Sequence, residues 1–597
     1  MPLLNRKDIE FCLYHWLEVQ NLCQLPQYEA HSAETFNAAL DTAEQIAERY
    51  FEPHNRQADE NEPWFDGEKV HTIPEVKTAY HHFVEAGLLT ARHGFDHGGM
   101  QLPATVASAC MAYITAANPS SAAYPFLTMA AMNLIEHFAG ASLQADFLPL
   151  MRSGRATGTM ALTEPAVGSS LGDITTHAVE QSDGHFHIRG QKMFISGGDH
   201  ELTENIVHLV LARIKGAPAG VKGISLFLVP KWLVDSSGKP IKRNDVQLAG
   251  LLHKMGYRGT SSTVLNFGEQ NECVGYLIGE PHHGLKYMFM MMNEARIGVG
   301  MGAAVMGCRG YLESLSYARE RPQGRLPGTR DSLSAPVNII EHADVKRMLL
   351  AQKAYSEGAF ALCMYANKLV DELVFAGDAE RASVSALLDL LTPVVKAWPS
   401  EYGPKANDLA IQVLGGSGYT REYPVEQLYR DNRLNPIHEG TNGIQAIDLL
   451  GRKLWQAQSA GLLELLKRVQ QTIHLAQSKT ELSSHAEDLA RAVKRLSAVT
   501  QFLGGQLTTV GPNKTLANAS AYFDLFSTIV LGWVWLSQAY SSVVTMADLE
   551  PDGKQFYLGK LQACQYFYKW ELPKVEVQAA LLESMDDTCD NMKTEWF

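Results

Sequence analysis

Hydrophobic positions recur at helical spacing through residues 1–155. In AETFNAALDTAEQIAERYF, which starts at Ala33, the side chains of Phe36, Ala39, Leu40 and Ala43 fall on one face and predict an amphipathic helix. This zone carries no convincing strand pattern. At residue 156 the pattern changes. GHFHIRGQKMFIS, NIVHLVLARI, GISLFLVPKWL and SSTVLNFG alternate or are β-branched, with Gly, Asp and Pro turns between them, so 156–278 reads as a β domain. Helical spacing returns over 279–455, in segments such as VKRMLLAQKAYSEGAFALCMYANKLV. A Gln/Ser/Ala-rich joint, WQAQSAG, then opens a last helical zone, 456–597. The reading is a mostly α protein with a central β domain and an additional C-terminal helical domain.

One stretch resembles a membrane span. Leu525 to Ala547 holds no charge and is long enough to cross a bilayer. Its several Ser, Thr, Gln and Tyr residues and Gly532 lower the tendency to insert. A buried helix of the C-terminal bundle is the expectation, and a peripheral membrane contact through 525–547 is the alternative.

Composition narrows the class. At about 150 residues per domain, 597 residues make room for roughly four domains. A 46% hydrophobic content with 19% charged residues supports several cores and excludes a mainly disordered chain. The net charge of −14 disfavours a nucleic-acid or anionic-membrane binder. Eight cysteines without any C-x-x-C pair suit neither zinc nor a disulfide framework and fit a reducing compartment. MPLLNRKDIEFCLYHW reads as neither a secretory nor a transit peptide, and KTEWF is not a peroxisomal address, so a cytoplasmic enzyme is expected.

Gly298, Gly300 and Ala303 form a G-x-G-x-x-A string. It follows YMFMMMNEARI, which continues at helical spacing, so close helix packing explains it better than a dinucleotide fingerprint. The adjacent pairs His81-His82 and His282-His283 do not present one ligand face, and no metal site is expected. More telling are Gly- and polar-rich loops between apolar elements. They are MALTEPAVGSSLGD (160–173), GQKMFISGG (190–198), RPQGR from Arg321, QVLGGSGYTREYPVEQLYRD (412–431) and PIHEGTNGIQ (436–445). Arg296 and Arg321 flank a helix in this reading. Exposed N–H groups and hydroxyls in such loops can bind phosphate or a heterocycle edge.

In this order, over about 80–455, the segments resemble the acyl-CoA dehydrogenase family of flavoproteins. The likeness rests on L-T-E-P-x-x-G-S, G-x-K-x-F-I-S, the RPQGR pair, Q-x-x-G-G-x-G-Y and the E-G-T turn, each weak alone and specific as a series. GGDHELTENIVHLVLARI and EGTNGIQAIDLLGRKL point within the family to a long bacterial branch with an extra C-terminal helical domain. That branch includes broad-range fatty acyl-CoA and 3-methylmercaptopropionyl-CoA dehydrogenases. The implied fold is an N-terminal helical domain (1–155, with an N-terminal extension), a middle β-barrel-like domain (156–278), a helical bundle carrying the catalytic base (279–455) and the added domain (456–597).

The resemblance also implies roles. Glu439 matches the base that removes the α-proton of an acyl-CoA thioester while flavin N5 takes the β-hydride. Met160, Leu162, Thr163, Phe194, Ser196 and Thr441 match contacts to the flavin of FAD, and Ser169 a residue near both pyrophosphate and thioester. Arg321, Gln323, Gln412, Gly415 and Gly416 match contacts to the FAD of a neighbouring subunit, which implies a homodimer. Asn293, Arg296 and Gly440 match the substrate side. An electron-transferring flavoprotein is the implied electron acceptor, and a cytoplasmic bacterial setting is implied. Ser170, Phe194, Gly324 and His438 depart from commoner family residues and bear on pocket walls rather than on the base. An acyl-CoA oxidase is one alternative. A non-dehydrogenating DNA-binding relative is another, but it would want a basic C-terminal zone, and residues 461–597 hold 12 Lys+Arg against 15 Asp+Glu.

Overall fold

A computed structural model describes residues 1–235, 237–329 and 333–597. The chain forms two compact units, one of residues 33–102 and 110–295, the other of 1–32, 103–109 and 296–597.

In the first unit, α1 (Ala33–Ile46), α2 (Pro74–Glu85), α3 (Pro119–Phe138) and α4 (Ala141–Arg152) precede the strands. Phe36, Ala39, Leu40 and Ala43 are all buried, as the spacing predicts. A short hairpin, Trp64–Phe65 with Val70–His71, interrupts the helical zone where no strand was expected. Its turn is organised by Asp66, whose Oδ1 accepts from the N–H of Glu68 and of Lys69, each at 2.7 Å. Two residues per strand are too few to leave a periodicity.

Eight strands form the main sheet among the described residues: β1 (Ala156–Ala161), β2 (His177–Glu180), β3 (Phe186–Ser196), β4 (Asn205–Ile214), β5 (Ile224–Pro230), β6 (Val246–Leu251), β7 (Ser262–Phe267) and β8 (Val274–Leu277). Their order is β6-β7-β3-β8-β5-β4-β1, and β2 pairs with both β3 and β4. The β1–β4 and β2–β4 pairs are parallel and the others antiparallel. Phe186, Ile188, Ile195, Val210, Phe227, Leu265 and Phe267 meet in one core. All four runs named from alternation or β-branching become strands, β3, β4, β5 and β7.

The second unit is helical. Its main members are α5 (Gly284–Glu320), α6 (Ala343–Phe375), α7 (Asp378–Leu414), α8 (Val425–Asn432), α9 (Asn442–Gly451), α10 (Ala460–Gln477), α11 (Ser483–Thr509), α12 (Ala519–Met546) and α13 (Gln555–Tyr566). The boundary between the units falls within α5, between Ala295 and Arg296. Gly298, Gly300 and Gly302 lie inside this helix, and a Cβ on Gly300 would stand 2.0 Å from the Val395 carbonyl oxygen. That carbonyl belongs to α7, four residues before Pro399, which has no N–H to offer it. Glycine therefore lets two helix backbones touch there, and the string is a packing device.

Ala457, Gln458 and Ser459 take φ values of 47°, 57° and 63°, three left-handed residues in a row at the WQAQSAG joint. Beyond it, α12 is the helix that is long and apolar enough to cross a membrane among the described residues, and 83% of its most apolar stretch is buried. Trp535 Nε1 donates to the Ala354 carbonyl (3.1 Å), Trp533 Nε1 to Thr472 Oγ1 (2.8 Å), and Tyr568 Oη to the Gly532 carbonyl (2.9 Å). The segment is an interior helix whose aromatic side chains are taken up by protein, in line with the buried-helix expectation for 525–547. The N-terminal extension folds onto these helices: Trp16 Nε1 donates to Ser537 Oγ (2.8 Å), and Asp8 pairs with Lys560.

Candidate active site

In the first unit, two motif residues hold each other. Lys192, from G-x-K-x-F-I-S on β3, is fully buried and donates from Nζ to the Leu162 carbonyl (2.9 Å) and to Glu164 Oε1 (3.0 Å). Glu164, from L-T-E-P, also accepts from the N–H and Oγ1 of Thr175 (2.7 Å each) and the N–H of Thr176 (3.0 Å). Burial works to raise its pKa, but the Lys192 charge and these hydrogen bonds outweigh it and hold the carboxyl at about 2. Burial pushes Lys192 down to about 8 against the pull of Glu164. The Leu162–Thr163 backbone is thus tied to the end of β3, and the Met193 N–H donates to the Thr163 carbonyl (3.0 Å).

Phe194 sits in a β-bulge. Thr263 of β7 faces Ile195 and Leu265 faces Lys192, so Met193 and Phe194 together oppose one residue. Phe194 takes φ 59°, and the residue is 61% exposed. A bulge re-aims a side chain in this way, with a cost of about 1–2 kcal/mol for a non-glycine residue in the left-handed region. Ser169 and Ser196 are exposed, and Met160, Leu162 and Thr163 are half-buried. Exposed hydroxyls and an aromatic face therefore surround the tied loop. Asn293, on α5, is half-buried with its Oδ1 lacking a hydrogen-bond partner.

In the second unit, Glu439 lies in the turn between α8 and α9. It takes φ 54°, and Gly440 follows at φ 85°. Two groups grip this turn. Gln445 Nε2 donates to the Glu439 carbonyl (3.1 Å), and Lys396 Nζ donates to the Gly440 carbonyl (2.7 Å) and to Asn442 Oδ1 (3.2 Å). A Cβ on Gly440 would meet Gln445 Nε2 at 2.6 Å, so the grip requires glycine. Thr441 caps α9 by accepting from the Ile444 N–H (3.4 Å). Glu439 is half-buried as a residue, and desolvation pushes its carboxyl up to about 7 against the opposing charges of Arg296 and Lys396. His438 is held down at about 3 by burial and then by Lys396. Its Nε2 lies 3.0 Å from Asn435 Oδ1, in a chain that continues through Asn432 to Asn407.

Arg296 is 5% exposed, and its Nε and Nη1 have no hydrogen-bond partner. It lies well inside α5, not at a helix end as its pairing with Arg321 suggested: the helix begins at Gly284 and Arg321 follows its last residue. Arg321 and Gln323 are exposed in the loop after α5, and Gln412, Gly415 and Gly416 are exposed at the end of α7. Tyr317 Oη and Ser417 Oγ, 3.4 Å apart, link these two places. Gln412 stands 16 positions after Lys396 on α7, about 24 Å along the axis at helical rise. The structure thus brings together Glu439, Gly440, Thr441 and Arg296 in one cluster of this unit, and places Arg321, Gln323, Gln412, Gly415 and Gly416 in another.

Sequence reasoning missed Lys396 and Gln445, and gave Glu164 and Lys192 no role of their own. The available signal for Lys396 was a single charge inside the apolar run LLTPVVKAWP. Gln445 lies in the quoted PIHEGTNGIQ segment, but only geometry shows what it holds.

Family models match the chain in four consecutive pieces. They are the acyl-CoA dehydrogenase N-terminal domain (residues 33–155), middle domain (159–269) and C-terminal domain (282–454), and an acetyl-CoA dehydrogenase C-terminal-like domain (465–593). The chain is 34% identical to a 3-methylmercaptopropionyl-CoA dehydrogenase of Ruegeria pomeroyi, over 98% of each protein. It is also 34% identical to a broad-specificity linear acyl-CoA dehydrogenase of Mycobacterium tuberculosis, covering 98% of this chain and 97% of that one. Among solved structures, an acyl-CoA dehydrogenase of Bacillus anthracis complexed with FAD shares the fold with a TM-score of 0.74. It is 20% identical and covers 93% of this chain and 88% of that one. The ordered motifs, the helical–β–helical architecture and these full-length relatives agree, and the chain belongs to the acyl-CoA dehydrogenase family of FAD-dependent flavoproteins.

Proposed function

We propose that Glu439 is the base that removes the α-proton of an acyl-CoA thioester, so that the protein converts it to a trans-2-enoyl-CoA. The observation that carries this reading is the gripped turn of Glu439. Its carboxyl is desolvated to a pKa of about 7, which sets a carboxylate near the strength a general base needs at neutral pH. Among the described residues its own N–H donates no backbone hydrogen bond, which leaves that N–H free to polarise the thioester carbonyl. Both effects oppose the weakness of a carboxylate towards an α-carbon.

Bound FAD supplies the acceptor for the β-hydride. The residues present fit such a group: an exposed aromatic ring on a bulge, free hydroxyls at Ser169 and Ser196, and a tied Leu162–Thr163 backbone. In this reading Met160, Leu162, Thr163, Phe194, Ser196 and Thr441 hold the flavin, and Ser169 lies near pyrophosphate and thioester. Arg296, a buried cation with unused donors, serves the substrate side with Asn293 and Gly440. The cluster of Arg321, Gln323, Gln412, Gly415 and Gly416, far along α7 from the base, serves the FAD of a second subunit, which makes the working form a homodimer.

In this reading 1–155 is the N-terminal helical domain, 156–278 the middle β domain, 279–455 the helical bundle that carries the base, and 456–597 the added helical domain. A cytoplasmic setting and an electron-transferring flavoprotein as acceptor complete the reading. Relatives named for 3-methylmercaptopropionyl-CoA, linear acyl-CoA and butyryl-CoA span a range of acyl groups. A panel of acyl-CoA thioesters from short to long chain, with a thioether member and an artificial electron acceptor, tests the activity and names the substrate. No turnover across that panel contradicts the reading. Rapid peroxide formation on mixing the reduced enzyme with air replaces the dehydrogenase by an oxidase.

A further inference from the structure

Lys396 is a buried cation that the chemistry proposed above does not use. It lies in α7 between Val395 and Ala397, flanked by Val394 and Trp398, all of them buried, and it is itself 0% exposed. Its hydrogen-bond acceptors are the Gly440 carbonyl and the amide oxygen of Asn442, both neutral. An ammonium buried without a hydrogen-bonded carboxylate gives up its hydration with no opposite charge bonded to it in return. A helix-to-turn tie alone does not need that charge, because a neutral amide donor can make the same bond to Gly440.

We propose that Lys396 is a positioning residue for Glu439, holding the Glu439–Gly440 turn through the Gly440 carbonyl and stabilising the ionised carboxylate through its charge. The proposal rests on Glu439 being the base. The backbone tie keeps Glu439 in its left-handed conformation, and the Gln445 clamp on the Glu439 carbonyl holds the preceding peptide of the same turn. The charge works in the field of several neighbours. Arg296 from α5 adds to it, and Asp448 from α9, Arg452 just beyond α9 and Asp389 from α7 act on Arg296. His438 beside the base stays neutral. Asn442 also donates to Glu401 Oε2 (3.3 Å), so the carboxylate of Glu401 reaches the cluster through that amide. Burial lowers Lys396 to about 7, with Glu439 opposing and Arg296 reinforcing that shift, so the lysine and the base titrate in the same range.

Two variants separate tie from charge. Lys396→Gln keeps an N–H donor for Gly440 and removes the charge, and Lys396→Met removes both. Each is purified with FAD and compared with wild type and Glu439→Gln in two measurements: the pH dependence of kcat and KM, and an infrared titration of the carboxyl band that Glu439→Gln abolishes. The expected result is that both variants move the Glu439 midpoint upward by about one pH unit. Lys396→Met also loses kcat about 10- to 100-fold above that midpoint with little change in KM, and Lys396→Gln recovers most of that loss. If Lys396→Met fails to fold, the Lys396→Gln midpoint decides. Unshifted midpoints overturn the proposal even if stability falls, because a purely structural lysine alters folding without moving the titration. If Glu439→Gln turns over normally, the base assignment itself fails and takes the proposal with it. If Glu439→Gln is inactive while the Lys396 variants keep the wild-type profile, only the proposal for Lys396 fails.

Discussion

Lys192 and Glu164 come from two different sequence motifs and form one buried ion pair, with Nζ and Oε1 3.0 Å apart. The pair fastens the end of β3 to the loop that carries Leu162 and Thr163. Replacing Lys192 by Met leaves a carboxylate buried among backbone donors, and we expect a loss of about 3–5 kcal/mol of stability together with weaker FAD retention. Thermal unfolding with and without added FAD checks this. The pH dependence has a defined sign. Glu164 is depressed from 4.5 to about 2 in the folded state, so its contribution is complete above pH 4.5 and is lost as pH falls towards 2. Glu164→Gln should flatten the acid limb of the stability curve in that window.

Gly440→Ala places a methyl group 2.6 Å from Gln445 Nε2, at a residue whose φ is 85°. The clamp on the Glu439 carbonyl must give way. We expect the variant to fold and retain FAD, with kcat reduced about 100-fold, since a small misplacement of a reacting group has that effect. Steady-state kinetics beside the flavin absorbance spectrum of the purified protein measures both. Unchanged kcat contradicts the requirement for this turn geometry.

Arg296 keeps two guanidinium donors buried and unpartnered, a feature that favours binding over stability. Arg296→Met should therefore raise the stability of the substrate-free protein by about 1–4 kcal/mol. It should also weaken acyl-CoA binding by about 2–5 kcal/mol. Unfolding curves and calorimetric titration with an unreactive acyl-CoA analogue give the two numbers. A variant that binds the analogue normally removes Arg296 from the substrate side.

Lys560 is fully buried on α13, paired with Asp8 and 2.8 Å from Glu357 Oε2. Burial raises Asp8 to about 6, with Lys560 opposing and Glu357 reinforcing the rise. Lys560→Met leaves two carboxylates facing each other in the core, at an expected cost of about 3–5 kcal/mol. The N-terminal extension should loosen first, because Asp8 is its charged anchor. Limited proteolysis is expected to cut within residues 1–32 of the variant before the rest of the chain.

Much of this could be read in the chain itself, and the exceptions share a cause. Alternation located β3, β4, β5 and β7 because each has one or both faces in a common core. Helical spacing located α1 and α6 for the same reason. The 64–71 hairpin escaped because two-residue strands have no period. Helical spacing is visible through YMFMMMNEARI, but pairing Arg296 with Arg321 as flanks of one helix misplaces Arg296, because α5 begins at Gly284 and continues through Gly300, which is kept by a backbone contact with Val395 on another helix. The bulge that turns Phe194 outward depends on register with β7, which no local pattern encodes. Lys396 matters through a hydrogen bond to the backbone of a turn 44 residues away and Gln445 through one to the turn just before it, and backbone acceptors leave no trace in a sequence.

The most direct test of the account is anaerobic mixing of the FAD-loaded enzyme with an acyl-CoA thioester that wild type turns over, followed by flavin absorbance in wild type and Glu439→Gln. Wild type is expected to bleach, with kcat/KM rising as pH climbs through about 7, because the base must lose its proton to act. Glu439→Gln is expected to hold FAD and bind the thioester, yet bleach about 1,000-fold more slowly or not at all. Bleaching of Glu439→Gln at a rate near that of wild type would contradict the account.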